Sequence, residues 1–354
     1  MSYKVYTVST TTWQDKTVVD PKSCSWTRAM NEGGSGSASF NLADTKVAST
    51  ITKLAPAERC LVVESDDVVI YAGIIWESTY NRDTKTLTLN YDDIWSLIEL
   101  RLIAPIRTEV MPSWKTTYSG MEYDTIVKRL VQLGTTGAGR TIPMVYEDDY
   151  AGGRSRTYYG YNADTVVGAI KEIMDLADGP DVDFRPRWNA ARDGLEFTLR
   201  TGFMNPDNNQ IEVNFSAAKS YGRNLTVKTT ARELATQVVG VGEGSGVDMI
   251  IRSAGGSGAF AIERAEQAKN LKDGTQLSAF AQGEVAARAG LLAQYGFDIS
   301  QRGPVIKTLW DLQPGTSVRW YVSDDPYISS GWKDNMILKF SGEITSDWIH
   351  FEVI

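Results

Sequence analysis

One histidine serves the whole chain: His350, within the last five of 354 residues. Imidazole is the usual side chain for moving a proton near neutral pH. A Ser-His-Asp or Cys-His arrangement would have to use His350 itself. Chemistry that needs two histidines, such as HExxH zinc proteolysis or a multi-His metal site, is excluded. His350 lies beside Trp348 in an alternating strand pattern, where packing or a plain surface position is the simpler reading. The two cysteines, Cys24 and Cys60, are too few for a Cys-rich zinc site or a disulfide framework. One bridge between them is possible, but two buried free thiols are the favoured expectation.

Carboxylates cluster at Glu147-Asp148-Asp149 and within Asp178–Asp183. Paired carboxylates could serve glycoside hydrolysis, with one as acid and one as base or nucleophile. They could also hold Ca²⁺, but the spacing matches no EF-hand loop. Solvated loop charge is the simpler reading. The segment Gly240-Val241-Gly242-Glu243-Gly244-Ser245-Gly246 follows a strand pattern and invites comparison with a phosphate cradle. The GxGxxG pattern fails in either register, because Ser245 or Val247 stands at the third glycine, and no GK[ST] follows. A strand-to-loop turn is expected there. Arg154–Tyr161 (RSRTYYGY) could stack on single-stranded nucleic acid. Two arginines in an acidic chain argue instead for a structured loop or subunit contact. The 10 Trp and 16 Tyr could build a sugar platform, with Trp114 and Trp332 as exposed candidates. Their scatter through strand patterns favours core and interface burial. No catalytic, cofactor-binding or metal-binding residue is assigned, and no cofactor is expected.

The composition fits that outcome. There are 36 Lys+Arg against 44 Asp+Glu, a net charge of −8, which argues against a protein gripping phosphate backbones. An apolar share of 42% allows a sizeable core. The opening MSYKVYTVSTTTW lacks an apolar h-region, so no secretory signal is expected. No run of about 18 apolar residues could span a membrane. Synthesis in the cytoplasm is expected, with any exit by assembly or lysis.

The elements read as β-rich α+β. Residues 1–93 alternate as strands, with turns at Gly33–Gly36, Asp66-Asp67 and Asn81–Thr84. Helices are expected over Asp93–Leu102, Asp124–Leu133 and Asp164–Ala177. The second buries Ile126, Val127, Leu130 and Val131, and the third Val166, Val167, Ile170, Ile173 and Met174. A hairpin follows, Val182–Trp188 with Leu195–Leu199. Strands return at Leu225–Thr229 and Ala235–Gly242, with Gly/Ser-rich loops at 242–246 and 253–258. A long helix is expected over Thr275–Tyr295, and strands over 304–354. Residues 68–91 and 336–353 echo each other: an apolar strand, a mid-strand glycine (Gly73, Gly342), a turn and a return strand.

Several segments together resemble a family. Trp26–Leu42 (WTRAMNEGGSGSASFNL) resembles the N-terminal signature of phage minor tail proteins of the tail-hub (tail-associated, baseplate-hub) type. Leu61–Ile75 (LVVESDDVVIYAGII) resembles their following hairpin, and Asp92–Arg101 the segment after it. Ala235–Gly244 (ATQVVGVGEG) resembles the strand and turn opening a second barrel. Leu312–Val318 (LQPGTSV) resembles a late strand, with Thr316 where Asp is commoner. The set looks most like proteins of long-tailed phages (siphoviruses) infecting actinobacteria.

The resemblance implies two β-barrel-like hub domains, 1–97 and 221–354, around an α+β domain, 98–220. A helical insertion is expected near 260–296. It implies a non-enzymatic virion protein at the tail tip: a homotrimeric ring around the channel for the tape-measure protein and, in transit, DNA. Implied partners are a distal tail protein or tube ring, the tape-measure protein, and a tail fibre or other tip proteins. Larger relatives carry C-terminal fibre or hydrolase domains, which this sequence is expected to lack. Two other readings stay open: a tail-tip carbohydrate-binding module and a carboxylate-based cell-wall glycosidase.

Overall fold

The computed structural model describes residues 2–107, 109–176, 178–202, 211–256, 260–268, 271–307, 309 and 312–354. The chain forms two compact units. One combines the residues up to Leu225 with Gly296–Ile354; the other is Thr226–Tyr295.

In chain order the elements begin β1 (Tyr3–Ser9), β2 (Thr17–Val19), β3 (Ser23–Ala29), β4 (Ser35–Asn41), α1 (Thr45–Ala48), β5 (Arg59–Ser65), β6 (Val68–Asn81), β7 (Thr86–Asp92) and α2 (Ile94–Glu99). Then come β8 (Lys115–Met121), α3 (Tyr123–Thr135), β9 (Met144–Val145), β10 (Arg154–Tyr159), α4 (Val166–Met174), β11 (Asp181–Trp188), β12 (Leu195–Gly202), β13 (Ile211–Asn214) and β14 (Gly222–Thr230). The rest are β15 (Gln237–Val241), β16 (Ile251–Gly255), β17 (Glu263–Gln267), α5 (Gly274–Ala287), β18 (Leu292–Ser300), β19 (Ser317–Val322), β20 (Gly331–Glu343) and β21 (Trp348–Val353).

A 13-stranded sheet organises the larger unit, in the order β14-β18-β21-β20-β3-β4-β7-β6-β5-β1-β2, with β19 branching from β20 and pairing β13. Antiparallel pairing of β20 with β3, Gly342 against Trp26, joins early and late strands into one sheet. Two separate closed barrels are therefore not what the described residues form. The path is open, and β14 and β2 are its ends. A ladder of aromatic contacts runs along the join. Trp26 meets Phe340 at 5.8 Å, Phe340 meets Phe351 at 6.2 Å, and Phe351 meets Phe297 at 5.9 Å. All four rings are buried, and each removes a large apolar area from water.

The echo between 68–91 and 336–353 has a steric cause in both copies. A Cβ on Gly73 would lie 2.8 Å from the Tyr71 hydroxyl and 3.0 Å from the Tyr91 ring. A Cβ on Gly342 would lie 2.6 Å from the Trp26 ring. Each glycine lets an aromatic ring lie directly on the strand backbone.

A second core lies under the helices of the same unit. Ile126, Val127, Leu130 and Val131 of α3 and Val166, Val167, Ile170 and Ile173 of α4 are buried, as their spacing predicts. They pack with Trp95, Phe184, Trp188 and Phe197. Helix starts follow cap chemistry. Asp93 accepts from the Trp95 N–H at 3.0 Å, and Thr165 Oγ1 from the Gly168 N–H at 3.0 Å. Asp124, the first residue of the expected helix, lies inside the first turn of α3, after Glu122.

The smaller unit centres on β15, with β16 antiparallel and β17 parallel to it. Helix α5 seats Leu277 and Ala281 in its interior. The helix expected over Thr275–Tyr295 ends at Ala287. Gly290 follows, and beyond it the period changes from helical to strand-like, giving β18. Within it Phe297 and Ile299 are fully buried with Asp298 between them. The loop expected at 253–258 is likewise corrected. Ser253–Gly255 belong to β16 and pair with β15 despite their small side chains; residues 257–259 lie outside the described set.

Candidate functional site

His350 on β21 is not isolated. Its Nδ1 lies 2.8 Å from Asp298 Oδ1 on β18. Asp298 also accepts from Arg223 Nε at 3.2 Å and Asn224 Nδ2 at 2.7 Å. The Arg223 guanidinium lies 3.8 Å over the Trp348 ring. Burial pushes the Asp298 carboxyl up, but the hydrogen bonds from His350, Asn224 and Arg223 outweigh it and hold the group below the usual carboxylate range. Ser341 on β20 stands directly across from His350 in the ladder. Asp298, His350 and Ser341 thus occupy three adjacent strands in the order of a nucleophilic triad. No hydrogen bond joins Ser341 to His350, although a working pair needs one or a close approach to one. The arrangement is a charge cluster tying β14, β18 and β21 together.

Several members of the acidic clusters are held by ion pairs or hydrogen bonds within the fold. Asp149 binds Lys128 and Arg129 of α3, and the Glu147 carbonyl accepts from Lys128 Nζ at 2.7 Å. The Lys128 hydrogen bond holds Asp149 below the usual range. Asp178 binds Arg154, and Asp181 accepts from Asn31 at 2.8 Å. Asp183 is buried and takes both Arg28 and Arg200. Among the described residues no three His, Cys, Asp or Glu side chains form a metal-sized group.

The glycine segment from the end of β15 onward serves packing. A Cβ on Gly240 or Gly242 would press on Leu277 at 3.1 and 3.0 Å. Gly244, at φ +123°, would put a Cβ 2.5 Å from the Asp248 carbonyl. Both cysteines are free and buried. Burial pushes the Cys24 thiol up to about 12 and raises that of Cys60 as well, which removes thiolate reactivity.

Of the two tryptophans considered for sugars, Trp114 packs partly buried against the helical core. Trp332 is 44% exposed, but its ring is engaged by Arg319 at 4.8 Å and Tyr321 at 5.4 Å. The Arg154–Tyr161 stretch divides between two faces of the β8–β10 ribbon. Arg154, Arg156 and the buried Tyr158 lie on the inner side, with both guanidiniums over Tyr123 at 5.0 and 5.7 Å. Ser155, Thr157 and Tyr159 face out. Tyr159 stacks on Tyr161, centroids 5.1 Å apart and planes at 20°.

Single-residue inspection misses a cleft of about 640 Å³ between the β5–β6 turn (Ser65–Val69) and the β11–β12 hairpin (Arg187–Ala190, Arg192). Beneath it Glu64, 1% exposed, accepts from Trp188 Nε1 at 2.6 Å, Tyr6 Oη at 3.2 Å and Arg192 Nη2 at 3.2 Å. Lys16 Nζ lies 3.8 Å over Trp188 and 4.2 Å over Tyr6. The carboxylate has its partners in place, so the cluster joins two hairpins and presents no free acid or base.

No protein-family model matches the sequence, and no curated protein matches it. Solved structures do. The tail protein from Neisseria meningitidis MC58 matches with a TM-score of 0.60 at 12% identity, over 100% of this chain and 96% of that one. The 43 kDa tail protein of prophage MuSo2 from Shewanella oneidensis matches with a TM-score of 0.61 at 10% identity, over 99% and 98%. The chain thus has a β-rich fold shared end to end with tail proteins.

Proposed function

We propose that this chain is a structural virion protein, the hub at the distal end of a phage-type tail tube. Three copies form a ring around the channel, and the ring links the tube to the tail-tip components. One observation carries the reading: the fold corresponds along its whole length to two tail proteins, with little of either chain left over. In this reading residues 1–97 and 221–354 are the two barrel-like portions of each subunit, with 98–220 between them. The open path from β14 to β2 leaves edges that neighbouring subunits can pair. Its partners are a distal tail protein or tube ring, the tape-measure protein and a fibre or other tip proteins. DNA meets it only in passage, and the virion tail tip is its location. A long-tailed actinobacteriophage is the source type favoured by the sequence motifs.

The charge of −8 per chain supports a role in passage. Acidic groups lining a channel repel phosphates, whereas basic ones would release counterions and hold the strand. Labelling assembled particles with an antibody to this chain tests the assignment. Label at the distal tip, with a threefold mass for the isolated complex, is expected. Label along the tube, or a strongly positive lumen, would overturn it. A clearing zone on host cell wall in zymography would overturn the non-enzymatic part.

A further inference from the structure

The outer face of the β8–β10 ribbon carries only exposed polar and aromatic side chains. Its cross-strand pairs are Lys115 with Tyr159, Thr117 with Thr157, and Ser119 with Ser155. All six are exposed, and the Thr117 and Thr157 hydroxyls touch at 2.9 Å. At one end Tyr159 (37% exposed) and Tyr161 (64% exposed) form a stacked pair. Neither strand contributes a carboxylate, although the chain is acidic. Lys115 makes no ion pair among the described residues. Four residue steps from Lys115 to Ser119 span about 13 Å, room for a short oligosaccharide and not only a single sugar.

We propose that this face binds a glycan chain bearing an acidic substituent. The outer tyrosine ring offers a flat apolar surface to the C–H side of a sugar. The hydroxyl ladder supplies donors and acceptors to sugar hydroxyls. Lys115 stands beside Tyr159 to meet a carboxylate or phosphate. Single-stranded nucleic acid fits less well. A phosphate chain needs several cations, and Arg154 and Arg156 belong to the opposite face. A second protein copy fits less well too, because the face lacks the apolar centre of a stable interface. The proposal does not depend on the hub assignment.

The full chain is titrated with three labelled probes, oligogalacturonate, a glycerol-phosphate polymer and dextran, and with an oligo-dT strand. At least one anionic glycan probe binds, and more tightly than dextran. Tyr161→Ala weakens that binding about tenfold, the effect of losing about 1.4 kcal/mol, with the melting temperature unchanged. Lys115→Glu abolishes the preference over dextran. Thr10→Ala, on the β1–β2 loop, leaves binding as it was. Failure of every glycan probe, oligo-dT binding more tightly than the glycans, or loss of self-association alone in Tyr161→Ala would each overturn the proposal. Whether the carboxylated or the phosphorylated probe binds more tightly identifies the acidic group.

Discussion

Arg28 on β3 donates through Nη2 to both carboxylate oxygens of Asp183 on β11, at 2.9 and 2.8 Å, with both side chains buried. Its Nη1 donates to Gln313 at 3.0 Å, and Arg200 approaches Asp183 at 3.3 Å. One ion pair therefore fastens the main sheet to the helical core's hairpin. Removing one partner leaves the other charge buried. Asp183→Asn is expected to cost about 3–5 kcal/mol in urea unfolding. Arg28→Met added to it should cost less than the two single changes summed; strict additivity would show that the two residues do not interact.

Asp93 sets a pH dependence. Burial pushes its carboxyl up to about 7, against the pull of hydrogen bonds from the Gly34 and Trp95 N–H groups at 2.6 and 3.0 Å. An unfolded Asp titrates near 3.9, so between about pH 4 and 7 the folded state holds more of this proton. Its contribution to stability is complete below pH 4 and is lost as pH rises to 7. Wild type should therefore lose stability relative to Asp93→Asn across that window and run parallel to it above. Parallel curves from pH 4 to 7 would contradict the assignment.

Asp298 should behave in the opposite sense. Its carboxyl is held low by its three partners, so its contribution is present above the unfolded value and is lost as pH falls below about 4. Asp298→Ala leaves His350, Arg223 and Asn224 without their common acceptor. A loss of about 1–3 kcal/mol is expected, with faster amide exchange in β18 and β21. Unchanged exchange in both strands would show that the cluster does not fasten them.

Gly342 tests the aromatic join. Gly342→Ala places a methyl 2.6 Å from the buried Trp26 ring, and overpacking of this kind costs about 1–3 kcal/mol. Gly153→Ala meets nothing within 4 Å and serves as the control. Equal denaturation midpoints for the two variants would refute the steric reading.

What the sequence made legible follows from range. The α3 stripe was readable because Ile126, Val127, Leu130 and Val131 share one helix face. Asp149 could not be assigned from its own segment, because its partners Lys128 and Arg129 lie about twenty positions earlier on α3. Arg28 and Asp183 are 155 positions apart, and neither residue type signals a buried pair. The helix expected to Tyr295 overruns the first four residues of β18, because alanines dominate the approach to Gly290 and the two-residue period starts only beyond it. The β8–β10 outer face was half visible: RSRTYYGY stood out, but which of its side chains turn outward depends on pairing with Lys115–Met121.

The Cys24 N–H donates to Glu343 at 2.9 Å, across 319 positions of chain. Ribosomes add about 5–20 residues per second, so β3 waits roughly 15–60 s for β20 to exist. Through that interval one edge of β3 has no partner, and an unpaired edge invites association with other chains. The central sheet is thus completed after, not during, synthesis of most of the polypeptide. A chain released early or held by a stalled ribosome would lack the aromatic join between Trp26 and Phe340. The last strands made therefore decide when the first ones are sealed.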